Sequence, residues 1–383
     1  MVSRNKVEAQ VDEPVLGDSV DSASILRILV ITPFEDSEWQ WLSAYFSDSE
    51  YSWKFINGNL FGKKQPNWAM MGWRATRSAA NFDLVVSHHP YMTLWVAASL
   101  RIRGITTPHI AFSFNHGNKR FFTGPLLLLA KWALAKVELF NVFSKGERFI
   151  FNKLYGIPLC KLRFSHWAVE SPRLSGTLPA EYADFQPYIC AMGRNNRDFL
   201  TLVAATESLA INLIIVCSKR DAPELATRGN IKVISDITLD ESMEILNGSI
   251  FSVVPLRDNS TGAGHMTFVH AMHLGKPQVV TAVENTQDYF FDNVHGINVR
   301  PNDASAMREA IECLLREADT RAGCSEAARA FAKRWLSEAA AARSAQEVIR
   351  AWAHDKPYGL EPDGWSSYLK STKSDTRSVR HSP

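Results

Sequence analysis

The chain has 383 residues, of which 46% are hydrophobic and 11% aromatic, enough for two cores of ordinary domain size. Lys and Arg number 42 against 40 Asp and Glu, so the net charge is only +2, and no global positive field favours a nucleic-acid partner. The five cysteines are scattered and include no C-x-x-C pair, which is typical of reduced thiols in a cytoplasmic protein.

The start of the chain and one apolar run bear on membrane association. Residues 1–24 are charged and lack the apolar core of a secretory signal, so a disordered tail is predicted there. The run "FFTGPLLLLA", residues 121–130, is shorter than the roughly 20 residues that span a bilayer. The stretch 126–137 leaves two alternatives, a buried helix, favoured by its all-round apolar character, or a helix lying on a membrane surface.

The first half of the chain alternates strand-like and helix-like segments. The predicted strands are "ILRILVIT", "FDLVVSHH", "PHIAFSFNH" and "VELFNVFS", and "YMTLWVAASLRIRG" between the second and third is helical and closed by a glycine. Apolar strands separated by helices indicate parallel βαβ units. We expect a first doubly wound domain over residues 25–178.

A second series follows the Pro- and Ser-bearing segment 170–187, which has the composition of a linker. Its predicted strands are "YICAMG", "NLIIVCS", "IKVIS", "SIFSVVPL" and "QVVTAV", with helices between them and the amphipathic helix "ASAMREAIECLL" near the end. This predicts a second doubly wound domain over 179–340. Residues 356–383 carry too little apolar pattern to fold alone, so a flexible tail is predicted there.

Two such α/β domains in tandem face each other across a cleft, where ligands bind at the carboxyl ends of the strands. A dinucleotide would require G-x-G-x-x-G after the first strand, but "VITPFEDSEWQW" stands there without a glycine. No P-loop sequence is present either. Nicotinamide, flavin and P-loop chemistry are therefore disfavoured.

The stretch "NSTGAGHMTFVHAMHLGKPQVV", residues 259–280, places small residues before a short helix. The free N–H groups of its first turn, at His265, Met266 and Thr267 after Gly264, attract anions. Arginines also follow the strand "YICAMG", and guanidinium groups suit phosphate. Together these features predict a diphosphate site rather than a carboxylate site.

Four segments occur in an order that resembles a known family: "MGRNNRD", "SVVPLRD", "GAGHMTFVHAMHLGKPQVVT" and "HGINVRPNDASAMREAIECLL". Over about residues 188–315 the chain resembles glycosyltransferases of the GT-B fold, and among them family 4 (group 1). The resemblance implies two Rossmann-like doubly wound parallel-sheet domains facing an interdomain cleft, and a terminal helix over 341–355 that crosses back to the first domain.

The resemblance also implies roles for individual residues. His270 stands where the family has a glutamate that binds the nucleotide ribose, and Gly262 stands where its partner glutamate would lie, so the acidic pair is lost. His116 matches a histidine near the transferred sugar. The residues that match the donor-diphosphate site are Arg194, Arg197, Gly264, His265, Met266 and Thr267.

The expected function is transfer of a sugar from a nucleoside diphosphate sugar to the hydroxyl of a saccharide or lipid-linked saccharide. The setting would be polysaccharide or lipid-linked glycan biosynthesis, in the cytoplasm or peripherally at the inner membrane face. No metal or further cofactor is expected, because the helix histidines lack accompanying carboxylates.

An inverting mechanism would need a base from the first domain, and four candidates stay open for it: Glu35, Asp36, Glu38 and His116. Two alternatives to a transferase also remain open. One is a GT-B nucleotide-sugar epimerase, and the other is a non-catalytic nucleotide-sugar-binding relative.

Overall fold

A computed structural model of the chain describes residues 25–33, 43–46, 49–58, 67–116, 121–225, 229–258, 263–354 and 356–379. Several predictions lie outside these residues: the 1–24 tail, the three acidic base candidates Glu35, Asp36 and Glu38, and Gly262. The described residues form two parallel β-sheets with flanking helices.

The first sheet has six strands in the order β2-β1-β3-β4-β5-β6, and its neighbouring strands pair in parallel. The strands are β1 (Leu26–Thr32), β2 (Tyr51–Asn57), β3 (Leu84–His88), β4 (His109–Phe112), β5 (Leu139–Val142) and β6 (Leu162–Phe164). The α-helices are α1 (Trp68–Ala75), α2 (Pro90–Ile102), α3 (Gly124–Leu134) and α4 (Lys145–Tyr155). Short 3-10 helices occupy Ser43–Tyr45, Thr76–Asn81 and Leu159–Lys161.

Helix α4 shows how local sequence sets an element. Ser144 and Glu147 form a reciprocal capping box at its start, which satisfies two backbone N–H groups that the helix leaves free. The helix ends at Gly156, whose φ of 72° lies in the left-handed region that glycine adopts without cost. The start of this helix is therefore fixed at the carboxyl end of β5.

The second sheet also has six parallel strands, in the order β12-β11-β10-β7-β8-β9. The strands are β7 (Tyr188–Met192), β8 (Asn212–Val216), β9 (Ile231–Ile234), β10 (Ser252–Val254), β11 (Gln278–Thr281) and β12 (Gly296–Val299). The helices around it are α5 (Ala180–Ala183), α6 (Phe199–Thr206), α7 (Ala222–Leu225), α8 (Leu239–Gly248), α9 (His265–His273), α10 (Ala304–Arg316) and α11 (Ala318–Phe331). A 3-10 turn spans Glu284–Thr286 and a π-helical turn spans Ala332–Leu336. This is a doubly wound order: successive strands are added on one side of β7 up to β9, and from β10 onward they are added on its other side. The switch point therefore lies between β7 and β10.

Helix α12 (Glu338–Ala353) leaves the second domain and packs on the first sheet. Its buried Val348 and Ile349 share one core with Ile28 and Val30 of β1. Such a crossing helix joins the two domains through apolar contact. The domain boundaries drawn from the sequence remain predictions.

The segment after α12 differs from the flexible tail that the sequence predicts over 356–383. Helix α13 (Trp365–Val379) begins there, and the Trp365 side chain is fully buried. Its ring lies 4.4 Å from the ring of His166 and 5.1 Å from that of Trp335. Tyr368 and Leu369 of the same helix pack against the same core, and burial of Trp365 adds the largest share, because a tryptophan buries about 150 Å² or more.

Helix α3 also differs from the favoured prediction of a helix buried on all sides. Ala130, Ala133 and Leu134 face the core, whereas Leu128 and Trp132 are exposed. The helix thus lies on the surface of the first domain. None of the helices in the described residues is both long enough and apolar enough to cross a membrane.

The two domains touch where the carboxyl ends of their strands meet. The backbone N–H of Lys145, at the start of α4, donates to the Asp288 carboxylate at 2.7 Å. Next to it, the Tyr289 hydroxyl donates to the Phe143 carbonyl at 2.7 Å and accepts from the Trp167 N–H at 2.6 Å. We call Asp288 and Tyr289 the interdomain clasp. The carboxyl edges of the two sheets therefore face each other.

Candidate functional site

The candidate site lies at the switch point of the second sheet, between the carboxyl ends of β7 and β10. After β7 the chain runs through Gly193 to Arg197 and enters α6, whose N-cap Asp198 accepts from the Thr201 N–H at 3.2 Å. The segment after β10 leads through Leu256 to α9, with residues 259–262 outside the description. An isolated antiparallel bridge joins Arg197 to Leu256. Ligands of doubly wound sheets bind at this kind of crevice.

Arg197 folds back beneath the end of β7. Its Nε donates to the Met192 carbonyl at 2.9 Å and its Nη1 donates to the Asn195 carbonyl at 2.7 Å. Gly193 has a φ of 135°, and a Cβ at that position would overlap the Arg197 guanidinium. Glycine is therefore required here both for the backbone conformation and for the space.

The guanidinium of Arg197 is a buried cation with no anionic neighbour in the described part of the chain. The residue is only 7% exposed, and none of the described carboxylates forms an ion pair with it. Burial lowers the pKa of Arg197 to about 10, so the group stays protonated at neutral pH. A buried charge is costly unless a partner compensates it. A bound anion would supply that compensation.

The start of α9 adds backbone donors to this buried charge. Gly264 is the N-cap, with a φ of 104°, and no side chain caps the helix. The N–H groups of His265, Met266 and Thr267 have no acceptor among the described residues. Free N–H groups and the positive end of the helix dipole attract an anion to this turn.

Two of these residues contribute through their backbones or through Arg197. Thr267 is buried, and its hydroxyl accepts from Arg197 Nη2 at 3.0 Å and donates to the Met192 carbonyl at 3.2 Å. It thereby fixes the helix start to the end of β7. Met266 is exposed, so its side chain points away and its N–H is the group available to a ligand.

His265 brings a buried polar atom to the same place. Its Nε2 is buried and has no hydrogen-bond partner among the described residues. Burial, followed by the nearby positive charge of Arg197, lowers the pKa of His265 to about 4, so the ring is neutral at pH 7. Its ring centroid lies 4.8 Å from that of Tyr289. The first turn of α9 is thus in direct contact with the interdomain clasp.

His270 lies one turn further along α9 and is buried. Its Nδ1 is 2.6 Å from the Met266 carbonyl, and because a carbonyl can only accept, Nδ1 carries the proton. Burial lowers the pKa of this histidine. The neutral ring therefore presents Nε2 as an acceptor. A carboxylate at this position would also accept a hydrogen bond from a hydroxyl, so the two side chains share that property.

The helix histidines do not converge. His273 Nε2 donates to the Leu336 carbonyl at 3.1 Å, and no group of three or more His, Cys, Asp or Glu side chains comes together within the described part of the chain. Arg194, by contrast with Arg197, is exposed on the turn after β7. The two arginines predicted for one site thus occupy different environments, one built into the fold and one on its surface.

On the first domain, His116 follows β4 at the carboxyl edge of the sheet. The ring is buried, its Nε2 is 2.8 Å from the Tyr155 hydroxyl, and it stacks on Phe121 with centroids 4.8 Å apart. The structure therefore brings His116 to the edge that faces the second domain. Glu35, Asp36 and Glu38 follow β1 in the sequence and lie outside the described residues.

His89 is not among the residues predicted from the sequence, and it occupies the switch point of the first sheet. It follows β3 and has a φ of 76°, a conformation that is uncommon for a residue other than glycine. Its ring stacks on Trp68 at 4.9 Å, and burial followed by the charge of His116 lowers its pKa to about 4. Strained residues cluster at functional sites. The sequence "SHHP", a strand end directly before a helix-starting proline, was the available signal.

Glu147 was also missed, although S-x-x-E is a recognisable helix start. Its carboxylate accepts from the N–H groups of Phe143 and Ser144 at 2.8 and 3.2 Å and from Asn115 Nδ2 at 2.6 Å. Burial raises the pKa of Glu147 to about 8. These contacts hold Asn115, the neighbour of His116, against the start of α4.

Two Rossmann-like parallel sheets whose carboxyl edges meet define a GT-B glycosyltransferase architecture. Solved structures of that class match the chain. Sucrose-phosphate synthase from Thermosynechococcus elongatus matches with a TM-score of 0.65 and 14% identity over 86% of this chain and 100% of that one. A glycosyltransferase from Rickettsia africae matches with a TM-score of 0.61 and 15% identity, covering 86% and 99%. HepE from Anabaena, in complex with UDP, matches with a TM-score of 0.61 and 13% identity, covering 86% and 100%.

The sequence itself identifies the family of the second domain. Residues 186–317 match the family described as "Glycosyl transferases group 1", and we identify this domain as a member of that family. A sequence comparison with curated proteins gave no match. The matched range includes the turn after β7 and the whole of α9, which together form the candidate site.

Proposed function

We propose that the protein transfers a glycosyl group from a nucleoside diphosphate sugar to a hydroxyl of a saccharide acceptor, as a hexosyltransferase. One observation carries the proposal. The guanidinium of Arg197 is buried at the switch point, directly beside the free start of α9, without a carboxylate partner among the described residues. A diphosphate is the anion that fits a fixed cation and a row of backbone N–H groups.

The chemistry follows from where charge develops. When the bond between the sugar and the diphosphate breaks, negative charge grows on the departing phosphate oxygens. Arg197 and the N–H groups of His265 and Met266 are held in place before the reaction, so they stabilise that charge without reorganisation. Arg194, exposed on the same turn, supplies a second guanidinium. We propose that the sugar nucleotide is a co-substrate and that the reaction uses no other cofactor.

His270 supports recognition of the nucleotide. Its Nε2 accepts a hydrogen bond in the neutral tautomer set by the Met266 carbonyl. We assign it to a ribose hydroxyl of the donor, the role that a glutamate has in the family that the chain resembles. A ribose hydroxyl can donate to the imidazole nitrogen as it would to a carboxylate. The difference is that the neutral histidine adds no negative charge beside the diphosphate.

We propose an acceptor site on the first domain. An apolar cavity of about 370 Å³ lies between β2 and α1, lined by Ile56, Asn67, Met70, Met71, Arg74 and Ala75. Asn67 adjoins Trp68, whose ring stacks on His89. We propose that an acceptor with an apolar portion, such as a lipid-linked saccharide, occupies this cavity. We therefore propose a role in polysaccharide or lipid-linked glycan biosynthesis at the cytoplasmic face of a membrane.

The test measures nucleotide binding first and turnover second. Calorimetry with UDP, GDP and ADP should give binding to at least one, and UDP-glucose is the first donor to test because HepE was solved with UDP-glucose. Release of nucleoside diphosphate only after a saccharide acceptor is added supports the transferase. Conversion of the donor without an acceptor would indicate an epimerase, and tight binding without turnover of any donor would indicate a non-catalytic relative.

A further inference from the structure

Three neighbouring helices of the first domain bring tryptophans and arginines to one exposed face. The Arg103 guanidinium lies 3.6 Å from the ring centroid of Trp73 and donates to the Trp73 carbonyl at 3.1 Å. On the other side of the α2 end, the Arg101 guanidinium lies 4.4 Å from the Trp132 ring centroid and donates to the Trp132 carbonyl. We call this surface the Trp–Arg face, and it consists of Trp73, Arg101, Ile102, Arg103, Leu128 and Trp132.

The face exposes more apolar surface than internal packing explains. Ile102 is 64% exposed and Leu128 70% exposed, and each tryptophan is 39% exposed. Leu128 and Trp132 are one turn apart on α3, so they project from the same side of the helix. Single exposed apolar residues are ordinary, but a contiguous group of them marks an interaction surface.

The charge around the face is strongly one-sided. Residues 51–137, which include α1, α2 and α3, contain eleven Lys and Arg and a single acid, Asp83. The remainder of the chain carries 31 Lys and Arg against 39 Asp and Glu. Asp83 pairs with Arg27 at 2.8 Å, so neither arginine of the face has a carboxylate partner within the described residues. The near-zero total charge conceals a basic half-domain.

We propose that the Trp–Arg face docks the protein onto the surface of an anionic phospholipid bilayer. Tryptophan and arginine each combine an apolar body with a polar group, which suits the boundary between headgroups and acyl chains. Ile102 and Leu128 would insert among the acyl chains, while the arginines, Lys131 of α3 and Lys136 just after it, both lysines exposed, meet lipid phosphates. A nucleic acid would match the charge but would leave the aliphatic side chains in water.

The position of the face fits this orientation. Arg101 and Arg103 lie at the carboxyl end of α2, and a crossover helix runs back along its sheet, so this end is remote from the edge that carries the candidate site. Donor access stays open. One consequence rests on the proposed function. Met70 and Arg74 lie on the same short helix as Trp73 and line the proposed acceptor cavity, so docking would bring that cavity close to a lipid-linked acceptor in the membrane.

Vesicle co-sedimentation of the full chain, without nucleotide or acceptor, tests the docking independently of the transferase assignment. Vesicles of phosphatidylcholine alone are compared with vesicles of phosphatidylcholine mixed with phosphatidylglycerol. We expect binding to the anionic vesicles only, weakened by added salt. The double variant Ile102→Ser with Leu128→Ser should reduce binding at least about tenfold, because two aliphatic anchors are lost.

The matched control is Leu200→Ser with Leu239→Ser, two leucines of the second domain that are each 52% exposed. It should bind vesicles as the native chain does, and melting temperatures should show both variants folded. Absence of binding to anionic vesicles, or equal loss in both double variants, overturns the proposal. Undiminished vesicle binding by the Ile102 and Leu128 variant also overturns it. So does duplex DNA that displaces the native chain and this variant from vesicles equally well, because either result indicates that charge alone drives binding.

Discussion

Replacing Arg197 by glutamine removes the buried charge and should weaken binding of a nucleoside diphosphate. A guanidinium has five N–H donors, and three of those on Arg197 are engaged by Met192, Asn195 and Thr267. Two remain for a phosphate. One hydrogen bond to a charged group contributes about 1.5–3 kcal/mol, so loss of a single bond predicts a Kd higher by about 10- to 150-fold.

The assay is isothermal titration calorimetry with UDP, GDP and ADP, and the comparison uses whichever binds the native chain most tightly. Arg316→Gln is the matched control, because that arginine lies at the end of α10 and is 72% exposed. Thermal unfolding without nucleotide should change little in Arg197→Gln. The lost hydrogen bonds are offset by removal of an unpaired buried charge.

A Kd within about twofold of the native value in a folded Arg197→Gln protein would refute the reasoning, since a twofold change is far below the contribution of one charged hydrogen bond. It would mean that the guanidinium contacts only the three protein groups it already touches. The burial of Arg197 would then be a device for closing the turn after β7, and the diphosphate assignment would lose its main support.

Three further predictions concern the fold around the site. Gly193→Ala should cost about 1–3 kcal/mol and abolish nucleotide binding, because a Cβ there meets the Arg197 guanidinium at a positive φ; Gly323→Ala, on α11 with open space around it, should instead leave binding intact and stabilise by about 0.5–1 kcal/mol in chemical denaturation. Burial lowers the pKa of four histidines to about 3, namely His88, His109, His166 and His295. The unfolded chain takes up these protons near pH 6.5 and the folded chain does not, so stability should fall below that pH, by about 2 kcal/mol per histidine at pH 5; circular dichroism that shows no loss between pH 7 and pH 5 would contradict this. Trp365→Ala should cost about 3–5 kcal/mol, measured by urea unfolding, and a cost below about 1 kcal/mol would mean that α13 is not part of the cooperative fold.

Much of the architecture could be predicted because buried parallel strands are continuous apolar runs. Four strands, β3, β4, β7 and β8, are buried almost throughout, and most of their residues are apolar. β2 was missed because it is an edge strand, "YSWKFIN", only partly buried and interrupted by Lys54. β6 was missed because three residues are too few for any pattern to emerge.

The site could be predicted in its position but not in its internal contacts. The small residues before α9 and the arginines after β7 mark the turn, yet sequence cannot show that Arg197 folds inward while Arg194 faces solvent. That difference arises from Gly193, whose missing side chain leaves room for one guanidinium. His89 and the clasp residues depend on which strand ends become neighbours, and this is a property of topology rather than of local pattern.

The basic half-domain shows the limit of a summed charge. Whole-chain composition correctly describes the average field, but recognition depends on charge within about a Debye length of the partner. Counting the charged residues segment by segment would have shown that residues 51–137 are basic and that the rest of the chain is not. Helix α3 was misjudged for a related reason, because an apolar composition does not tell which of its sides faces outward.

Tyr289 links events at the two ends of one side chain. Its ring contacts His265 at the start of α9, while its hydroxyl bridges Phe143 and Trp167 on the opposite lobe. If the lobes separate, either these hydrogen bonds break or the start of α9 moves together with Tyr289. The geometry of the α9 start and the separation of the two lobes are consequently coupled in one equilibrium, and a change in either one shifts the other.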